Sequence, residues 1–395
     1  MIASNVADRS DTPIVMKFGG SSFIDIEGYK QIAAYIAARV VTERRRAVVV
    51  VSAMSGTTGR LQETLRTVHT SPPAEVASML LTTGEVVSVA LLTAALIDND
   101  IAARGLAGDE IGMVAQGVVD RASLRSIEPS RLMAALDGVS VVVLPGGQAV
   151  DEDGRLVMLG RNSSDLTAVG AAIAVGADSC ELFSDVPGIC SADPHLLPDA
   201  RVLPTVDYGS MLHLSSGGAK VFQSDAVRWA EQHGVRIVCK SLPPAARSET
   251  VVGTGSGIAA VALHERGDVW VFSDPQARQR ASDELIAQGL SALPLRGDEQ
   301  NDEHIDGSAL IVTAYGNDDV ARRCCEGGTP RPDLCLLTVV EHDGHVERLL
   351  VPRSAGIDEA RRRHALLHPS SSRLPTVPRQ KVRSSMSGLL TGSTG

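Results

Sequence analysis

Aromatic residues are scarce in this sequence: two Trp, four Tyr and five Phe make up 3% of 395 residues. A core of this size must therefore be assembled from Val, Leu, Ala and Ile. Positive charge is also in short supply. The 37 Lys and Arg are outnumbered by 47 Asp and Glu, leaving a formal net charge of −10, which argues against nucleic acid as a main partner because phosphate backbones are bound by basic surfaces. No run reaches the roughly 18 uninterrupted apolar residues that a membrane helix needs, so no membrane partner is expected. The opening MIASNVADRSD is polar and acidic and reads as neither signal nor transit peptide; the expected compartment is the cytoplasm. Cys180, Cys190, Cys239, Cys324, Cys325 and Cys335 contain no CxxC pair and accompany no His cluster. That spacing speaks against a zinc site, and most are expected to be small buried hydrophobes or free thiols. Lysine occurs only at Lys17, Lys30, Lys220, Lys240 and Lys381. Where a chain otherwise prefers the planar guanidinium, a retained compact ammonium draws notice to the loops that carry it.

With 44% hydrophobic and 21% charged residues, the chain has the composition of folded globular material, and its length suits two domains. From Pro13 to about Pro244, short β-branched runs alternate with helical stretches. The strand candidates are 14–18, 47–54, 140–146, 179–186 and 235–240; amphipathic segments lie at 27–43, 74–97, 165–176 and 218–233. Strands without polar alternation, separated by helices, indicate a buried and mostly parallel sheet, whose ligands sit at the loops beyond the carboxyl ends of the strands. After GTGSG (253–257) the pattern changes. A strand pair, IAAVALHER and DVWVFSD, leads into the helix candidate PQARQRASDELIAQG; after a polar linker at 298–306 come further strands and a short helix. This second stretch reads as a small α+β region, with a weak internal repeat. The expected division is a catalytic domain at 13–255, a regulatory region at 256–368 and a Ser-, Pro-, Gly- and Arg-rich tail at 369–395 that is expected to be disordered.

The strand-end loops are unusual. The first reads Lys17-Phe18-Gly19-Gly20-Ser21-Ser22. Glycines after a buried strand allow backbone N–H groups to approach an anion, a following helix adds its positive end, and a lysine at the strand tip can neutralise charge on a transferring phosphoryl group. The second, Ser52-Ala53-Met54-Ser55-Gly56-Thr57-Thr58, offers hydroxyls suited to a carboxylate or phosphate. Gly84, inside an apolar helical pattern, costs about 1 kcal/mol relative to alanine, and Glu85 beside it could bind an ammonium group. In Leu159-Gly160-Arg161-Asn162-Ser163-Ser164-Asp165, Ser164 or Asp165 can cap the next helix, and Arg161 suits bidentate capture of a carboxylate. Asp165 could orient a lysine or a metal. Two more loops, Ser184-Asp185-Val186-Pro187-Gly188-Ile189-Cys190 and Ser216-Gly217-Gly218-Ala219-Lys220-Val221, are dense in turn formers, the second opening another helix. Singly, each loop is also accounted for by turns, N-caps or a solvated side chain. Together, at the ends of one sheet, they point to a site.

In these motifs the sequence resembles the aspartokinases of the amino-acid kinase family. KFGGSS, SAMSGTT, LTTGE, LGRNSSDLTA, SDVPGICSADP and SGGAKV stand in the family's order across roughly 14–254. The resemblance implies a three-layer α/β sandwich of the carbamate-kinase type with a mostly parallel sheet, followed by an α+β region placed like the family's paired ACT domains. It implies ATP and Mg²⁺ as cofactors, a small acidic amino acid as substrate, phosphorylation of the side-chain carboxylate of L-aspartate, and a homo-oligomer. Residue by residue, it puts Lys17 on the transferring phosphoryl group and Asp165 behind that lysine. Ser52, Thr58, Glu85, Arg161 and Ser164 would hold the amino acid. Gly19, Gly20, Ser184, Asp185, Cys190, His195, Lys220 and Val221 would line the nucleotide site.

The chain departs from the family pattern at several points. Asn162 and Ser163 stand where two glycines are usual, Gly147 where a phenylalanine is, Cys190 where an aromatic is and His195 where an arginine is; Gly209 replaces an acidic residue. Two alternatives follow: a kinase for another acidic amino acid in a specialised pathway, and a catalytically silent regulatory subunit.

Overall fold

In the strand Ala47–Val51 every residue is buried, and its alternate side chains enter two different cores. Val48 and Val50 pack with Val15, Val142 and Leu144, while Val49 and Val51 pack with Met16, Phe18, Val141 and Val143. A strand buried on both faces needs no polar alternation, which is why these runs read as continuously apolar. Each such valine, taken fully out of water, contributes roughly 1.5–3 kcal/mol of burial. The computed structural model describes residues 12–160, 163–186, 188–219, 221–242, 248–255, 257–295, 307–314 and 316–369. The expected linker at 298–306 and residues 370–395 of the expected tail lie outside the described residues.

The central sheet has eight strands, ordered Thr205–Asp207, Glu249–Gly253, Arg236–Lys240, Ser179–Phe183, Ile14–Phe18, Ala47–Val51, Val141–Pro145 and Ala103–Gly105. All neighbours are parallel except Arg236–Lys240 against Glu249–Gly253. The register aligns Phe18 with Val51 and with Phe183, and Val51 with Pro145. The carboxyl ends of four strands therefore stop on one line, and their loops are forced together. The helices Ile26–Glu43 and Thr83–Asp98 cover one face through Tyr29, Ile32, Ile36, Leu92 and Leu96. Ser164–Ala174 and Ser224–His233 cover the other. The result is three layers.

Several expectations are revised. The segment expected as one helix at 74–97 is two, Ala74–Leu81 and Thr83–Asp98. By length and composition the combined stretch could cross a membrane, but Val89, Leu92 and Leu96 are spent on the core under the sheet. The helix expected over 218–233 begins only at Ser224. The Ser216-Gly217-Gly218 motif instead terminates Tyr208–Ser216, because Gly218 adopts φ +96°, which cannot continue a right-handed helix. Short strands escaped the sequence reading altogether. Met113–Gln116, Ser123–Ile127, Gln148–Val150 and Leu156–Met158 form a separate four-stranded sheet, and Ser123–Ile127 is largely exposed, so it carries little apolar signal.

Beyond 256 the two strands expected as a pair belong to different sheets. Ala260–His264 pairs with Leu334–Val340, which pairs with Val346–Pro352. Asp268–Phe272 lies in a second sheet with Ser291–Pro294, Ser308–Thr313 and Thr329–Pro330. With the helices Pro275–Ala287 and Asp318–Cys324, this second unit runs strand–helix–strand–strand–helix–strand. The three-stranded sheet carries the helix Gly356–Leu367 after its hairpin.

The helix Ser164–Ala174 packs so closely that a Cβ on Gly170 would lie 2.7 Å from Met113 Cε and 3.2 Å from Ile127 Cδ1. Gly170→Val should overpack this layer and lower stability by about 1–3 kcal/mol, read as a reduced denaturant midpoint with an unchanged slope.

Candidate active site

Lys17 leaves the first strand one residue before its carboxyl end, in register with Val50 and Leu182 on either side. Its ammonium lies 2.7 Å from Asp165 Oδ1, with side-chain exposures of 15% and 7%. Asp165 occupies the first turn of Ser164–Ala174, where the helix dipole favours a carboxylate. Its charge extends inward: burial, and then Asp165, push the Cys180 and Cys239 thiols up. Both cysteines are therefore inert core residues, as the sequence suggested for most of the six; all but Cys190 are buried.

Around this pair the loops interlock. Ser52 donates through its hydroxyl to Ser164 Oγ at 3.0 Å, joining the second loop to the helix that carries Asp165. Gly146 makes that approach possible, since a Cβ there would sit 2.4 Å from Ser164 Oγ. Gly147 follows at φ +76°, and its N–H donates to Thr167 Oγ1 at 2.8 Å. A Cβ on Gly147 would fall 2.7 Å from Ser163 Oγ, and the Ser163 hydroxyl donates to the Gly160 carbonyl at 2.7 Å. Two departures from the family pattern, Gly147 and Ser163, therefore face each other across one contact: where one carries a side chain, the other has room for none.

Two adjoining cavities share Gly20, Ser52, Thr58, Met158, Gly160 and Ser164 as a common wall. The smaller, about 500 Å³, contains Glu85, whose carboxylate accepts from the Ala53 N–H at 3.3 Å. Burial pushes the Glu85 carboxyl up to about 7. Such a group gains most from a cation brought into the pocket. The larger, about 760 Å³, contains Lys17, Gly19, Asp165 and Val221. A small cation-bearing ligand and a larger anionic one can thus meet across the shared wall, with Lys17 on the larger cavity's side.

Among the predicted site residues, Lys17, Gly19, Gly20, Ser52, Thr58, Glu85, Ser164, Asp165 and Val221 are brought together on these walls. Ser184 and Asp185 follow the strand Ser179–Phe183 at the same edge of the sheet, the Ser184 hydroxyl donating to the Val186 carbonyl. Cys190 and His195 are not brought to either cavity. Cys190 packs against an apolar cluster of the C-terminal region, and His195 is exposed, its N–H donating to Asp193 Oδ1. Arg161, Asn162 and Lys220 lie outside the described residues. Among the described residues no cluster of three or more His, Cys, Asp or Glu side chains could hold a metal ion.

Sequence reasoning missed Gln148, which is 1% exposed, lines the smaller cavity and donates to the Thr82 carbonyl at 2.9 Å. The PGGQ turn after a buried strand was its available signal. It also missed the outer wall, where Leu290, Leu293 and Asn317 face the larger cavity. Arg121 ties that wall to the rest, donating to the Gln288 carbonyl at 2.8 Å and to Asn317 Oδ1 at 2.6 Å.

Residues 12–241 match the Amino acid kinase family. The aspartokinase of Thermus thermophilus is 38% identical over 228 residues, 58% of this chain and 56% of that protein. The aspartokinase of Mycolicibacterium smegmatis is 39% identical over 232 residues, 58% of this chain and 54% of that protein. The chain thus spans about half the length of the curated relatives it matches. Among solved structures, E. coli aspartokinase III in complex with aspartate and ADP aligns at a TM-score of 0.69 and 18% identity, over 90% of this chain and 99% of that one, a likeness of fold.

Removing one partner of a buried ion pair strands the other charge, at a cost of about 3–5 kcal/mol. Lys17→Met should therefore be strongly destabilised, and Lys17→Met with Asp165→Asn should recover much of the loss, both read by chemical denaturation. For Glu85, a carboxyl raised in the folded state from 4.5 to about 7 stabilises the fold fully below pH 4.5, and that contribution is lost as pH rises through about 7. Glu85→Gln should accordingly raise the melting temperature at pH 8 relative to the parent and leave it little changed at pH 4.

Proposed function

This chain belongs to the amino acid kinase family, and from that premise we propose that it transfers the γ-phosphoryl group of ATP to the side-chain carboxylate of L-aspartate, giving 4-phospho-L-aspartate. The observation that carries the proposal is the Lys17–Asp165 pair on the wall of the larger cavity, next to the Gly20 and Ser164 that both cavities share. The likeness to aspartokinases at 38–39% identity supports the choice of substrate.

A side-chain carboxylate is already a nucleophile, so no strong general base is required. What the reaction needs is placement and charge neutralisation as the phosphoryl group moves in line between two oxygens. Lys17, held straight by Asp165, would face the transferring group, and the backbone amides of Gly19 and Gly20 would approach the same oxygens. Glu85 would take the substrate ammonium, ionising as it does so. The hydroxyls of Ser52, Thr58 and Ser164 would orient the carboxylates, with Arg161 as the bidentate partner the resemblance implies. Ser184, Asp185, Lys220 and Val221 would serve the nucleotide; Cys190 and His195, which the resemblance also assigns to it, line neither cavity. Mg²⁺ fits as a companion of the ATP phosphates, because the site offers few carboxylates of its own, and such ions are commonly held largely by phosphate and water; it would offset phosphate charge.

In this reading residues 13–255 are the catalytic domain and 256–368 a degenerate ACT-like region, in a cytoplasmic homo-oligomer. The reading of a kinase for a different acidic amino acid draws on one observation, the Ser163 side chain standing against Gly147 beside the smaller cavity.

Purified protein with Mg-ATP, aspartate and hydroxylamine should yield a hydroxamate, and Lys17→Ala should lower the rate by roughly a hundredfold or more. Turnover with glutamate or cysteate in place of aspartate would move the substrate assignment. Saturable ATP binding with no turnover on any acidic amino acid would leave a silent binding subunit.

A further inference from the structure

A break between two helices precedes Glu85. Thr82 closes Ala74–Leu81 and opens Thr83–Asp98, and across this junction the hydrogen bond from the Val86 N–H to the Thr82 carbonyl is stretched to 3.4 Å. The same carbonyl accepts from Gln148 Nε2 at 2.9 Å. Gln148 reaches it from the strand Gln148–Val150, directly after the Gly146-Gly147 turn that follows Val141–Pro145. On another side, Gly84 packs on the second loop, where a Cβ would lie 3.0 Å from Ala53 Cβ and 3.4 Å from Thr57 Cγ2. The helix turn that carries Glu85 is thus held from two directions, by the loop and by the Gln148 amide.

That amide is fixed in place and in orientation. Gly108 packs against it so closely that a Cβ there would lie 2.5 Å from Gln148 Oε1 and 3.0 Å from Gln148 Cβ. Its NH₂ group meets two acceptors, the Thr82 carbonyl and the Glu85 carboxylate, so a flipped amide would set oxygen against oxygen. The side chain is 1% exposed, and its Oε1 has no hydrogen-bond partner among the described residues. An unpartnered buried acceptor is costly, so the use of a glutamine here lies in its donor half. Burial pushes the Glu85 carboxyl up to about 7, and the N–H groups of Glu85 and Ala53 and the Gln148 amide oppose it.

Other charges leave Glu85 to these neighbours. Among the described residues it is the one charged side chain on the smaller cavity, with Lys17 and Asp165 across the shared wall on the larger. The helix Thr57–Val68 turns Arg60 to Thr57 Oγ1 and exposes Glu63 and Arg66. Glu75 of Ala74–Leu81 is exposed, as are Asp109 and Glu110 beside Gly108. From Ile26–Glu43, Tyr29 pairs through its hydroxyl with Ser88.

We propose that Gln148 is a positioning residue for the amino-acid substrate: it fixes the helix start at Thr82 and donates toward Glu85, setting that carboxylate to receive the substrate's ammonium group. The inference rests on the proposed kinase reading, in which Glu85 takes that ammonium. It gives the smaller cavity a second recognition element behind its carboxylate, and it gives Gly108 a reason, since a side chain there would displace the amide.

The test uses the full chain. Gln148→Met keeps the length of the side chain and removes the donor. It should raise the aspartate KM about five- to twentyfold and leave the ATP KM within about twofold. The rise of the aspartate KM on acidification, which follows protonation of Glu85, should begin at a higher pH than in the parent, because burial is then less opposed. In a Glu85→Gln background the same change should add less than about twofold. A second readout needs no turnover. A carboxyl held up in the folded state contributes stability below its unfolded value and loses it as pH rises through the folded one, so holding it higher still costs the fold more at pH 8. Gln148→Met should therefore lower the melting temperature more at pH 8 than at pH 4, and Glu85→Gln should abolish the difference. If Gln148→Met does not fold, Gln148→Asn, which draws the amide back by one carbon, serves for both comparisons. Equal rises in the KM of aspartate and ATP, or the same loss of stability at both pH values, would overturn the inference in favour of a purely structural glutamine. Wild-type protein that forms no acyl phosphate from aspartate would sink the kinase reading, and the positioning of Glu85 would then stand or fall on the pH-dependent melting.

Discussion

The site is organised by one buried ion pair. Lys17 stands near the end of a strand packed on both faces, its side chain 15% exposed to the larger cavity, and Asp165, 7% exposed, sits in the first turn of the helix Ser164–Ala174. Each carries the cost of the other's burial, so the pair holds only if the strand end and the helix start are placed to within a fraction of an ångström. The register of the sheet supplies the first condition, stopping four strands on one line. The close seat of Ser164 on Gly146 supplies the second. The tight packing of the helix Ser164–Ala174 is thus part of the chemistry, because any shift there would move a carboxylate away from its ammonium.

Glu85 shows the complementary strategy. Its carboxyl is buried with no cationic partner among the described residues and held up near neutrality by that burial. In the absence of ligand this weakens the fold above pH 7; in the presence of an ammonium group it becomes binding energy. Among the described residues, one half of the site thus keeps its charges satisfied internally, and the other leaves one without an opposite charge. In the proposed reading this division serves a zwitterionic acceptor, with Lys17 for the phosphoryl group and Glu85 for the substrate ammonium.

The C-terminal region enters this arrangement twice. Its four-stranded unit closes the outer wall of the larger cavity through Leu290, Leu293 and Asn317, tied by Arg121, and its three-stranded sheet lies between the loop carrying Ala192, Leu197 and Ala200 and the helix Tyr208–Ser216. A boundary near residue 255 follows the composition of the chain, but not the path of its packing. The apolar clusters cross it, and so does the backbone bond between Val261 and Ser191.

What the sequence determined by itself was local and periodic. The buried strands were visible because β-branched runs such as Ala47–Val51 have no other economical conformation, and the strand-end loops because Gly, Ser and Thr cluster there without a helical or strand pattern. Lys17, Glu85 and Asp165 could be singled out from those loops, and the order of the motifs was enough to suggest the family. The short exposed strands such as Ser123–Ile127 escaped notice because two or three apolar residues carry no period. What only the tertiary structure decided depended on closeness between residues far apart in the chain: that Lys17 meets Asp165, that Gly147 and Ser163 compete for one space, that Gln148 lies beside Glu85. It also decided that Ser216-Gly217-Gly218, read as the start of a helix, is the end of one. The reason is physical. A glycine in sequence shows only that a side chain is missing, whereas the structure shows His264 and Thr338 occupying the place where it would have been.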